Sequence, residues 1–114
     1  MGKIGLVLLL LALLLVACTN KDALYVAGTY EGEAEGYQSI LKVEVTVDEN
    51  HILDIQVIAH EEAPIIAEAV LSKIPERVIK KNSTAVDTVS GATYTSNTLL
   101  KAIDQALSKA TLQD

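Results

Sequence analysis

The chain has 114 residues, enough for one small domain and its core but not for two. Nine Lys and Arg against fifteen Asp and Glu give a formal charge of −6, which argues against nucleic acid and anionic headgroups as partners. A single cysteine rules out an internal disulfide, and the lack of Trp and Phe makes the core aliphatic, so any large flat object in the fold is a ligand or one of the four tyrosines.

Lys3 gives a positive start, and residues 4–17 are almost wholly aliphatic. That run is shorter than the roughly 20 residues a membrane-spanning helix needs. A positive start, a short apolar run and a small residue at its end are the anatomy of a secretory signal peptide, here residues 1–17. Leu15-Val16-Ala17-Cys18 then resembles the lipobox of bacterial lipoproteins. The resemblance implies cleavage before Cys18 and a diacylglycerol on its thiol. The chain would then sit on the extracytoplasmic face of the cell membrane, anchored by about 0.8 kcal/mol per buried CH₂. The mature chain would keep eight basic and all fifteen acidic residues, a charge of −7. Residues 18–27 read as a short lipid-anchored tether, and residues 28–114 as the domain.

Along residues 28–37, small and apolar residues alternate with glutamates, the pattern of an edge-like strand. Glycines at 28, 32 and 36 fit a twisted or bulged strand, or a backbone that something approaches closely. In residues 39–47, Leu41, Val43, Val45 and Val47 share one face. After a polar turn at 48–51, residues 52–59 return with Leu53, Ile55 and Val57 on one face, completing an antiparallel hairpin. Pro64 suits a helix start, with Ile65, Ile66, Ala69 and Val70 at helical spacing. Pro75 reads as opening a second short helix with Val78 and Ile79 inward. A closing helix is expected from about Ser96 to Lys109, its apolar stripe made by Leu99, Leu100, Ile103, Ala106 and Leu107, with Thr95, Ser96 or Asn97 as cap. Strands first and helices after predict an α+β domain: a small antiparallel sheet with two to three helices on one face.

The segment Asp87-Thr88-Val89-Ser90-Gly91-Ala92-Thr93-Tyr94-Thr95-Ser96 is rich in hydroxyls and feeds a helix start. Gly91 lets the backbone turn and approach a ligand closely. Free amides at a helix start carry positive partial charge, and Ser90, Thr93, Thr95 and Ser96 add donors. Composition alone leaves two readings, a phosphate site and a bare capping loop.

The order Asp-x-x-Ser-Gly-Ala-Thr resembles the flavinylation motif of the FMN-binding domain family, which includes flavin subunits of sodium-pumping NADH–quinone reductases and Rnf complexes and small flavin lipoproteins of extracellular electron transfer. The resemblance extends to Gly28-Thr29-Tyr30-Glu31-Gly32, to the hairpin 43–57 and to His60-Glu61-Glu62-Ala63-Pro64. It implies FMN joined to Thr93 by a phosphoester, made by a separate FAD-dependent, magnesium-requiring FMN transferase that reads Asp87 and Ser90-Gly91-Ala92. It also implies Glu62 near the flavin. Ala63 stands where the family has threonine, and Ile65-Ile66-Ala67 replaces a glycine-rich turn. The implied role is an electron carrier between a membrane redox complex or quinone-linked donor and an extracellular acceptor. A reversible flavin binder and a cofactor-free lipoprotein adaptor are the alternatives.

Thr95 is the nearest rival to Thr93, read as a helix cap or phosphate contact. Tyr94 is a candidate to stack on the flavin, Tyr30 and Tyr37 weaker ones. His51 with His60-Glu61-Glu62 lacks metal-ligand spacing, so no metal is expected. No nucleophile–His–acid set or carboxylate dyad is visible.

Overall fold

The computed structural model describes residues 23–36, 39–61 and 64–111, with the side chains of 64–66 excepted. The expectations for residues 1–17, Cys18, Tyr37, Glu62 and Ala63 fall outside these. Among the described residues, β1 (Gly28–Glu35), β2 (Ile40–Val47) and β3 (Ile52–Ala59) form one antiparallel sheet in the order β1-β2-β3. Two helices follow, α1 (Pro64–Lys81) and α2 (Thr93–Ala110). Helix α2 packs on β1 and β2, and α1 packs on β3 and α2. This is the α+β arrangement that the order of patterns predicts.

The inward residues of β2 are all buried, Leu41, Val43, Val45 and Val47. They meet Leu99, Ile103 and Ala106 of α2 and Val70, Ile74 and Val78 of α1 in one aliphatic core. Strand β3 departs from simple alternation. Its register on β2 shifts twice, between Lys42 and Val43 and between Thr46 and Val47. Leu53 and Ile58 are the residues skipped, and both turn outward. Leu53 is 52% exposed while Ile52 takes the core place expected for it. A bulged residue leaves the two-residue period, and that is what displaced Leu53.

Helix α1 is one continuous element where two short ones were expected. Pro75 lies inside it, buried. A proline there removes one i→i−4 hydrogen bond. The apolar stripe Ala67, Val70, Ile74 and Val78 runs straight past it into the core, and that burial holds the helix together.

The end of α1 clasps the hairpin. Asn82 has a left-handed φ of 56°. Its side chain donates to Asn50 O at 2.8 Å and accepts from Ile52 N at 2.7 Å. Within the same turn, Asp48 Oδ1 accepts the amides of Asn50 and His51 at 2.8 and 2.6 Å, and those bonds hold its carboxyl below the usual carboxylate range. Asn82→Ala should cost about 2–3 kcal/mol, from two lost hydrogen bonds and an alanine held at positive φ. Asn82→Gly should cost less, since it relieves the φ. Urea unfolding of the two variants checks the ranking.

The chain entry is part of the fold. Leu24 N and Tyr25 N both donate to Glu49 O, Val26 N donates to Ala110 O, and Tyr25 pairs with Thr111. Burial and the nearby Asp104 carboxylate push the Tyr25 phenol up. The last residues of the expected tether are therefore docked against the domain. Strand β1 is covered on its outer edge by α2: Gln105 Oε1 accepts Glu33 N, and Lys109 Nζ donates to Glu31 O, both at 2.6 Å. That blunts an edge that would otherwise present unpaired backbone.

Candidate functional site

The motif loop runs from Ser83 to Ala92, between the end of α1 and the start of α2. Its anchors are apolar. Val89 and Ala92 are buried at 5% and 8% exposure, and the Ala92 amide donates to Val89 O at 2.9 Å. Residues 89–92 thus close a tight turn with Ser90 and Gly91 at its tip. Gly91, the third residue of that turn, has φ 79°, the conformation a type II turn requires and only glycine takes cheaply. Ser90 and Gly91 are exposed. A Cβ on Gly91 would meet nothing within 4 Å among the described residues, so the space over the turn is open.

Thr93 is the first residue of α2, not part of the loop before it, and it is exposed. The helix begins three residues earlier than its pattern indicates. No side chain caps it, and the N-cap residue is Ala92. The expected caps are elsewhere. Thr95 is buried at 3% exposure and Ser96 at 0%, and Ser96 Oγ accepts the Val89 amide at 3.0 Å. Ser96 therefore ties the loop to the helix from beneath. Thr95 lies inside the fold, unlike the exposed Thr93.

Asp87 is exposed, six residues before α2, and caps no helix. Its backbone carbonyl and that of Thr88 accept from Arg77 Nη1 at 2.8 and 3.2 Å. Lys81 Nζ reaches Ala85 O at 2.5 Å. Sequence reasoning missed both cations, because a lysine or arginine on a helix carries no mark of which carbonyl it will meet. With Lys73 and Lys80 they line one flank of α1 beside the loop, a largely basic strip interrupted by Glu76 and bordered by Asp87.

A groove of about 520 Å³ runs along α2 from Tyr94 to Asp104, starting one residue past Thr93. Tyr94 (46% exposed) lines it, with Val86, Asn97, Leu100 and Lys101. That volume is within the roughly 300–1,000 Å³ typical of ligand sites. Tyr30 is not near it: its hydroxyl donates to Val26 O at 2.8 Å, at the opposite end of β1 from Glu35, which lines the groove. His51 and His60 flank the two ends of β3, so they cannot share a metal. No group of three metal-ligating side chains gathers among the described residues.

The family model of the FMN-binding domain matches residues 36–108. The chain belongs to the FMN-binding domain family. Strand β1 precedes the matched span yet completes the sheet. An NADH:acrylate oxidoreductase of Vibrio harveyi is 32% identical over 84 residues, 74% of this chain and 8% of that protein. An uncharacterised protein of Treponema pallidum (strain Nichols) is 30% identical over 80 residues, 70% of this chain and 22% of its own length. An NADH:fumarate oxidoreductase of Klebsiella pneumoniae (strain 342) is 28% identical over 89 residues, 78% of this chain and 10% of that protein. The chain thus spans less than a quarter of each of these relatives.

The residues present fit a flavin phosphate. Exposed hydroxyls at Ser90 and Thr93 stand at an uncapped helix start, where the helix dipole favours an anion. A mixed groove follows along α2 from the neighbouring Tyr94, where Tyr94, Val86 and Leu100 offer apolar surface among Glu35, Asn97, Lys101 and Asp104.

Proposed function

We propose that this FMN-binding domain is an electron-transfer module carrying FMN as a phosphoester on Thr93, tethered through a lipid on Cys18 at the extracytoplasmic face of the membrane. It is a redox carrier that serves oxidoreductase partners, not a complete enzyme. The observation that carries the reading is the exposed Thr93 hydroxyl at the first position of α2, ending the Asp87–Thr93 motif in a chain of this family. Relatives named as NADH-dependent oxidoreductases support a redox role.

In the attachment step, Thr93 Oγ gives up its proton and takes the FMN phosphorus from FAD, whose pyrophosphate bond opens to release AMP. A separate transferase supplies the FAD and magnesium. The chain's part is to hold the threonine outward at the fixed start of α2. The flavin, when bound, supplies the redox chemistry. Tyr94 and Leu100 would offer its ring apolar surface in a groove that Glu35, Lys101 and Asp104 also line. An ester bond keeps the cofactor from being lost by dilution outside the cell, so deep burial is unnecessary.

The test is the intact mass of the full chain co-expressed with an FMN transferase and then denatured, followed by peptide mapping. A gain of FMN minus one water on the Thr93 peptide is expected. An unmodified mass would leave a reversible flavin binder or a cofactor-free adaptor, which flavin titration of the native protein separates. A mature N-terminus at a diacylated Cys18 is expected in the same spectra.

A further inference from the structure

We propose that Arg77 is a positioning residue for flavin attachment, holding the motif loop in the form the transferase binds. The proposal rests on Thr93 being the acceptor. Arg77 is half-buried on α1, and its guanidinium bridges two successive carbonyls, those of Asp87 and Thr88. These are the first two residues of the motif. The far end of the motif is fixed separately, by buried Val89 and Ala92 and by Ser96 Oγ. The near end of the loop is held by Lys81 on Ala85 O. Arg77 therefore sets the stretch between, and with it the direction of the Asp87 carboxylate relative to Thr93.

Both bonds leave one nitrogen, Nη1, fixed in direction by the planar guanidinium, whereas an ammonium acts as a point donor on a flexible stem. Removing the bridge frees residues 86–88 without uncovering the core, since Val89 and Ala92 keep their places. An acceptor loop that is competent only part of the time binds with an affinity reduced by that fraction. The effect should fall on KM for the acceptor chain, while turnover at saturation is little changed.

Purified full-length chains with Arg77→Gln and Arg77→Lys would be flavinylated by an FMN transferase with FAD and magnesium. Arg77→Gln should raise KM about tenfold, with kcat within about twofold, and Arg77→Lys should fall between it and the wild type. Amide exchange at residues 86–88 of the unlabelled Arg77→Gln chain should accelerate by a similar factor. Val45→Ala, a cavity in β2 remote from the loop, supplies the control for lost stability and should keep the wild-type KM. An unchanged KM or unchanged exchange in Arg77→Gln overturns the proposal, as does an equal KM rise in Val45→Ala. A wild-type chain that accepts no FMN on Thr93 would instead overturn the underlying reading of the acceptor.

Discussion

Gly32→Ala should lower the stability of the domain by about 3 kcal/mol or more, at the upper end of what overpacking costs. A Cβ at that position would stand 2.0 Å from Ala102 O and 2.7 Å from Ala106 N. Both are backbone atoms of α2, so no side chain can swing aside. The helix would have to lift from β1. Lifting it would loosen Ala102 and Ala106, both fully buried, and the Gln105 and Lys109 bonds that cover the strand edge. For a domain of this size, such a loss should bring Tm down by more than about 10 °C in a thermal scan. A change of only a degree or two would mean that β1 and α2 are not in direct backbone contact.

Thr93→Val should abolish covalent labelling completely and leave Tm close to the wild type. The substitution removes a hydroxyl and keeps the shape, at an exposed first helical position with no cap bond to lose. Thr95→Val is the informative partner. Thr95 is at 3% exposure, within the fold, so its variant should still gain one FMN. A denaturation-resistant flavin on Thr93→Val would refute the acceptor assignment. Loss of labelling in Thr95→Val with wild-type stability would shift the acceptor there.

The alternation in β2 and the stripe on α2 were legible because burial on one face imposes a period, and Leu41, Val43, Val45, Leu99 and Ile103 obey it. The motif loop was legible as a sequence of residue types, and Gly91 as a turn glycine. Leu53 was misplaced because a bulge adds a residue without leaving a sign in composition. Pro75 reads locally as a helix start, but the core contacts of Ile74 and Val78 outweigh one missing hydrogen bond. Ser96 looks like a cap from the chain alone, since only the folded loop brings Val89 N within reach of its Oγ. Arg77 and the docked Leu24–Val26 depend on contacts between distant parts of the chain, which no local pattern encodes.

Helix α2 also fixes a polarity. Its eighteen residues put Thr93 and Ala110 about 25 Å apart along its axis. Ala110 receives the incoming chain through Val26, so Val26 lies at the end of α2 opposite Thr93. A lipid on Cys18 would then hold the domain with its cofactor facing outward, away from the bilayer. On the proposed anchoring, the helix would act as a rigid mast between the lipid and the place where electrons are handed over. Partners within the lipid and partners beyond it would meet different poles of the same molecule.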